Sequence, residues 1–269
     1  MGSFFEGLIT ETDQICEIHG SKKQILRNNK DMEPVCVECA TEKKEQQEKE
    51  FITEMTKKAE KAKTQSWLKS RSIILDQTLK NATFENYDTA DAETKKKKEH
   101  ALNIAREYYK GATYNTVLRG KPGTGKSHLD MSILKIVNEH SEPYRRCIFV
   151  SVDEMMRLIR GSFNNRDSQY TEERVVDTLT KADLLVLDDL GAETGAIGTD
   201  KAASNFTSRV LYAIINGRMN KPTIMTTNLN GPELTNMYDS KLLSRMYRGA
   251  KGHTIVFEHT NDKRLESLI

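Results

Sequence analysis

Gly120-Lys121-Pro122-Gly123-Thr124-Gly125-Lys126-Ser127 satisfies the pattern G-x-x-x-x-G-K-[ST] in full. Val117 and Leu118 lead into it as the end of a strand. His128 to Val137 follows as a helix with Leu129, Ile133, Leu134 and Ile136 to bury. Glycines let the backbone turn its N–H groups toward phosphate oxygens, and the helix start adds a positive dipole end. Lys126 is the cation for the terminal phosphates, and the Ser127 hydroxyl is a ligand for Mg²⁺. The expected nucleotide-contacting set is Gly120, Lys121, Pro122, Gly123, Thr124, Gly125, Lys126, Ser127 and His128, with ATP or ADP and Mg²⁺ as cofactors.

Two further strand ends complete this chemistry. Leu184-Leu185-Val186-Leu187-Asp188-Asp189 is an apolar run closing on two acids, at the edge where open α/β sheets bind ligands. Asp188 is placed to hold Mg²⁺, directly or through water, and Asp189 to polarise the attacking water. Thr223-Ile224-Met225-Thr226-Thr227-Asn228 ends at the same edge. Asn228 is the candidate for orienting that water, against the alternative of a turn asparagine capping the next segment.

Around these motifs, strands are expected near 114–118, 146–151, 184–188, 222–227 and 253–257. Helices are expected near 126–139, 152–161, 171–181, 201–218, 238–247 and 261–268. Ser151 and Glu154 predict a capping box for the second of these helices. Regular β–α alternation predicts an α/β fold with a parallel five-stranded sheet covered on both faces.

Upstream, Cys16-x-x-His19 and Cys36-x-x-Cys39 have zinc-site spacing, with ligands able to close a tetrahedron. Three cysteines cannot pair off into disulfides. Cys147, inside the apolar run Arg146–Val150, is expected to be a buried thiol. Residues 1–45 form the expected zinc-binding module, too small for a sufficient apolar core, so that Zn²⁺ supplies folding energy. Residues 46–72, dense in Lys, Glu and Gln, predict a charged helical linker. Residues 73–269 hold the nucleotide-binding domain.

The net charge of +2 means that nucleic-acid contacts must come from local patches. No apolar run is long enough to span a membrane and no signal-peptide core is visible, so a cytoplasmic protein without membrane partners is expected. Arg245 and Arg248 lie three apart, on one helix face. An arginine there can serve a neighbouring subunit's nucleotide.

The block Gly120–Leu129, the run Leu187–Glu193, the run Pro222–Leu229, Leu242-Leu243-Ser244-Arg245 and Ala82–Tyr87 together resemble the DnaC/DnaI family of AAA+ replicative helicase loaders. The resemblance covers about residues 73–269. The zinc-type module is similar to the helicase-binding domain of the DnaI branch, and phage-encoded loaders share the layout. The resemblance implies an AAA+ P-loop ATPase that docks on a hexameric replicative DNA helicase through its N-terminal module. It implies further that the AAA+ domain binds single-stranded DNA and self-associates. Asn228 would be sensor 1, Arg245 the arginine finger acting in trans (Arg248 as the fallback), and Lys263-Arg264 would fall at sensor 2. Phe84 and Tyr87 would lie near the adenine. Arg157, Arg160 and Phe163 would meet the strand, since cations and an aromatic suit it.

Two residues depart from the wider pattern. Asp130 stands where the family usually has alanine, and is expected to face away from the phosphates. Asp189 replaces the glutamate of most AAA+ proteins, and its shorter reach implies slow hydrolysis. The same motifs also fit a transposition-helper ATPase of IstB type, or a non-hydrolysing adaptor or inhibitor of a helicase. The zinc-type module and charged linker favour the loader.

Overall fold

β1 (Ile9–Ile15) and β2 (Lys22–Leu26) pair antiparallel, with a register shift between Glu11 and Ile15. The computed structural model describes residues 9–26, 32–194 and 203–263. This hairpin belongs to the first of two units, 1–61 and 62–269. Its turn is closed by the Cys16 N–H, which donates to Ser21 O at 2.8 Å, and Gly20 takes φ 68°. Val35 bridges to Gln24, and α1 (Val37–Arg71) starts immediately after Cys36. α1 buries no residue along its length, as its Lys- and Glu-rich sequence requires. It begins inside the segment expected to be the metal module, and the division between units falls within it.

The second unit is built on a parallel sheet. β3 (Thr116–Arg119), β4 (Cys147–Ser151), β5 (Leu184–Leu190), β6 (Thr223–Thr227) and β7 (Thr254–Val256) lie in the order β4-β5-β6-β3-β7. The alternating residues of each strand feed two cores. Leu184 and Val186 pack on one face with α2 (Ala92–Tyr109) and α3 (Lys126–His140). Leu185 and Leu187 pack on the other with α4 (Val152–Gly161), α5 (Glu172–Lys181) and α6 (Asn205–Asn216). Strands buried on both faces are why these segments read as unbroken apolar runs. Cys147 is fully buried between them, as expected.

Three local expectations change. Ser151 precedes α4 but makes no side-chain cap. Chain 73–75 runs beside β4, with Ile73 bridging Val150, and the Ser151 hydroxyl accepts the Leu75 N–H at 3.2 Å instead. Glu154 pairs with Arg157 at 2.6 Å. The helix expected over 238–247 is present as α8 (Ser240–Met246), and a further helix, α7 (Gly231–Met237), precedes it where none was expected. Asn230 and Glu233 form a capping box for α7, and Asp239 caps α8. The signal Asn230-Gly231-Pro232-Glu233 was present in the sequence. Residues 261–263 are not helical, and 264–268 lie outside the described residues, as do 201–202 of the expected helix over 201–218.

One buried cation ties the far edge of this unit together. Arg218 is 2% exposed. Its guanidinium donates to Leu179 O, Ala182 O and Pro222 O at 2.7 Å each and to Thr223 Oγ1 at 3.1 Å. Burial pulls its pKa down to about 9 although Asp183 opposes this. Arg218→Met would leave those carbonyls without their donor, and should cost about 1–3 kcal/mol or more, the penalty of unsatisfied buried acceptors. Urea unfolding of the purified chain measures this, and a loss below about 1 kcal/mol would show the cation to be dispensable.

Candidate functional site

The C-terminal ends of β3, β5 and β6 meet at a cavity of about 470 Å³. Pro122, Gly123, Gly125, Lys126, Ser127 and His128 line it from the glycine loop, with Asp188, Asp189 and Asn228 from the strand ends. Gly120, Lys121 and Thr124 do not line it. Gly120 and Lys121 offer carbonyls to Lys126 Nζ at 2.8 and 2.7 Å, and Thr124 is fully buried with its hydroxyl on Lys121 O. All three glycines of the loop are required by their surroundings, Gly120 taking φ 155° with Phe257 Cβ 2.6 Å from where its own Cβ would sit. Gly125 takes φ 90° at the start of α3, with the Tyr87 ring 2.8 Å from where a Cβ would sit. Gly123 takes φ 73°, and the Asp262 carboxylate occupies its Cβ position.

The polar side chains form a continuous chain of hydrogen bonds. Lys126 Nζ donates to Asn228 Oδ1 at 2.8 Å, and Asn228 Nδ2 donates to Asp189 Oδ1 at 2.7 Å. The Asp189 N–H donates to Thr226 Oγ1 at 2.7 Å, and Thr226 in turn donates to Asp188 Oδ1 at 2.7 Å. Ser127 Oγ donates to that same oxygen at 2.7 Å. Asp189 takes φ 60°, a left-handed conformation that aspartate and asparagine tolerate better than most residues. Burial raises the Asp188 carboxyl above its usual range, against the Ser127 and Thr226 hydroxyls. Ser127 and Asp188 place a hydroxyl and a carboxylate side by side at the glycine loop, a donor set that fits Mg²⁺.

Asp130 is fully buried and does not line the cavity. Neither of its oxygens has a hydrogen-bond partner among the described residues, and burial, then the charge of Asp188, drives its pKa well up. Burial and the nearby carboxylate thus both disfavour its charged form.

Sequence reasoning missed one whole wall. Leu75, Asp76, Thr78 and Leu79 line the cavity from the 3-10 turn Gln77–Asn81 and the chain before it. No motif marks them, because chain pairing beside β4 brings them there. Phe84 and Tyr87 are buried and do not line the cavity, although the Tyr87 hydroxyl reaches Thr124 O at 3.5 Å. Glu193, after β5, accepts the Gly191 N–H at 2.8 Å and the Tyr238 hydroxyl.

Other expected site residues lie elsewhere. Arg245 is not at this chain's own cavity. Its guanidinium donates to Asn216 Oδ1 at 3.1 Å and Lys241 O at 3.2 Å and lies 4.8 Å over the Tyr212 ring. Arg248 donates to Thr113 O at 2.7 Å. Lys263 does not line the cavity but adjoins it, its N–H donating to Gly123 O at 3.2 Å and its ammonium pairing with Asp88 at 2.7 Å, and Arg264 lies outside the described residues. Arg157 is ion-paired with Glu154, Arg160 reaches Thr207 Oγ1 at 3.4 Å, and Phe163 is 62% exposed with its edge toward Phe206.

The segment bearing Asp262 is clasped by Glu93 of α2, another residue without a sequence signal. Its carboxylate accepts the Glu258 N–H at 2.9 Å, the His259 N–H at 3.0 Å and the Thr260 hydroxyl at 2.6 Å. Burial works to raise its pKa, but these donors outweigh it and hold the group down at about 2, against an ordinary value of 4.5. A depressed carboxylate stabilises the fold fully above its unfolded pKa and loses that contribution as pH falls through its folded one. Protection of the Glu258 and His259 amides should thus hold above pH 4.5 and fade as pH falls toward about 2. Hydrogen exchange measures this, with Glu93→Gln as the reference. Protection independent of acid would remove the clasp.

In the first unit, the ligand atoms of Cys16, His19, Cys36 and Cys39 lie within 4.8 Å of one another. Cys16 Sγ is 3.5 Å from Cys39 Sγ, and His19 Nδ1 is 3.2, 3.7 and 3.8 Å from Cys39, Cys36 and Cys16. A zinc tetrahedron with S and N ligands has edges of about 3.5–3.8 Å, so three thiols and one imidazole fit that ion. His19 Nε2 faces Glu42 Oε1 at 3.1 Å, the outer partner that orients a metal-bound histidine.

A sheet in this order, a glycine loop between β3 and α3, paired acids ending β5 and an asparagine after β6 define a P-loop nucleotide-binding protein of AAA+ architecture. Residues 35–248 match the IstB-like ATP binding protein family. The chain belongs to this DnaC/IstB-like AAA+ family. It is 30% identical over 174 residues to the replicative helicase loader DnaC of Escherichia coli (strain K12), covering 63% of this chain. The chain spans 64% of that relative's length, a little under two thirds. Among solved structures, the DnaC helicase loader aligns with a TM-score of 0.53 at 23% identity, over 68% of this chain and 99% of that one. DnaI aligns with a TM-score of 0.54 at 23% identity, over 70% and 96%. At such identity these two establish the fold. No helix among the described residues is long and apolar enough to cross a membrane.

Proposed function

We propose that the chain is an ATP-dependent loader of a replicative DNA helicase, acting in the initiation of replication. The observation that carries the reading is the convergence of Lys126, Ser127, Asp188, Asp189 and Asn228 on one cavity, in a chain related to a named helicase loader. Lys126 exchanges its bonds to Gly120 O, Lys121 O and Asn228 Oδ1 for the phosphates of ATP. Asp189 takes the proton of the attacking water, and Asn228, freed from Lys126, orients that water. Mg²⁺, when bound by Ser127 and Asp188, neutralises charge on the phosphates. Arg245 completes the site of a neighbouring copy, since it lies away from its own.

The remaining roles follow the division of chemistry along the chain. Residues 1–45 form a zinc-held module that faces the helicase, 46–72 a linker and 73–269 the ATPase domain. An exposed apolar groove of about 320 Å³, lined by Ile9, Leu26, Met32, Val35 and Val37, supports the docking role. Arg157, Arg160 and Phe163 are the single-strand contacts. The second reading, a transposition-helper ATPase, is favoured by the IstB-like description of the family.

Size-exclusion of the full chain with a bacterial hexameric helicase separates the two. The loader reading expects a complex with ATP present, and ATP turnover that rises with protein concentration and loses that rise in Arg245→Ala. No complex in any nucleotide state would remove the loader reading.

A further inference from the structure

A second cleft, of about 420 Å³, opens in the same unit away from the glycine loop. The stretch 74–80 contributes to both cavities. Leu75, Asp76, Thr78 and Leu79 face the nucleotide cavity, whereas Ile74, Gln77 and Lys80 face this cleft. The C-terminal part of α1 and the outer turns of α3 supply its other walls.

Its chemistry is specific. Lys69, Lys80 and Lys135 line it, and no carboxylate does among the described residues. Lys135 Nζ donates to Lys80 O at 2.7 Å, which brings two of the ammonium-bearing chains together. Leu68, Ile74 and the buried Met131 form an apolar floor. Asn138 also lines the cleft and is only 7% exposed. Its Nδ2 makes a long bond to Gln65 O at 3.4 Å, and its Oδ1 has no hydrogen-bond partner among the described residues.

These features select among ligands. Three lysines without an acid require an anion of more than one charge. The floor requires an apolar or flat body, which a sugar phosphate lacks. A fatty acid, with a single charge, does not match the three lysines. The cavity volume falls in the ordinary range for small-molecule sites. We propose that this cleft binds a phosphorylated nucleoside, either free or as one residue of a nucleic-acid strand, at a site separate from the glycine-loop cavity.

Calorimetric titration of the full chain with adenosine 3′,5′-bisphosphate, and separately with a 5′-phosphorylated oligothymidylate of roughly ten nucleotides, tests the site. Lys126→Ala removes the glycine-loop cation and leaves the cleft intact. Lys80→Glu combined with Lys135→Glu does the reverse, and the milder Lys80→Gln with Lys135→Gln guards against misfolding, with thermal melting as the check. The expected result is binding of at least one probe that survives Lys126→Ala and weakens about tenfold or more on charge reversal, with glutamine substitution intermediate. Binding of the bisphosphate assigns the site to a free nucleotide, and binding of the oligonucleotide alone assigns it to a strand residue. Absence of binding by either probe, or binding that both lysine variants leave unchanged, overturns the proposal.

Discussion

Replacing Lys126 by alanine should lower ATP turnover by a factor of about 10² or more, equivalent to about 2.7 kcal/mol of transition-state stabilisation. Lys126 is 6% exposed and its ammonium is held between two glycine-loop carbonyls and Asn228. In so desolvated a place a cation acts strongly on phosphate charge. ATP binding should weaken with it. Asp189→Asn should behave differently. Asparagine accepts the left-handed backbone that Asp189 adopts, and its Oδ1 can still receive the Asn228 amide, so the loop should keep its shape. It cannot take a proton from water, so turnover should fall while ATP affinity is kept. Nucleotide titration beside steady-state turnover checks both, with thermal melting to confirm folding. Turnover within about twofold of wild type in both variants would end the ATPase reading.

Stripping metal from the first unit should unfold it while the second unit survives. Among the described residues 9–26 and 32–61, only Cys16 and Cys36 are buried. That unit therefore has almost no apolar core, and its hairpin is held by the convergence of its thiols and imidazole. Structural zinc binding contributes about 10–16 kcal/mol of apparent free energy in small modules, far more than the few exposed apolar contacts here can replace. Elemental analysis should find one zinc per chain. Chelation, or Cys36→Ser, should abolish amide protection in β1 and β2 and leave that of β3 to β7 unchanged. A hairpin that stays protected without metal would show that the four ligands are not its support.

The glycine loop, the paired acids and the asparagine strand could all be read from the sequence because each is local. Every one is a strand end followed by a turn, and the residue types sit within a few positions of one another. The Cys16–His19 and Cys36–Cys39 pairs were legible for the same reason. What lay between the motifs was not. Leu75 to Leu79 form a wall of the cavity only because 73–75 runs beside β4, and Ser151 loses its capping role to that neighbour. Glu93 closes over a segment more than 160 residues away, and no pattern near Glu93 signals it.

The sequence by itself determined the class of fold, the two groups of candidate ligand residues and their order along the chain. Apolar periodicity and phosphate- or metal-binding spacing are properties of short stretches, set by backbone geometry and donor type. Only the tertiary structure decided the strand order β4-β5-β6-β3-β7, the bond from Lys126 to Asn228 that joins two distant motifs, and the removal of Arg245 from its own cavity. These depend on which strands become neighbours. That choice is made by burying both faces of one sheet at once, and no single stretch of residues contains it.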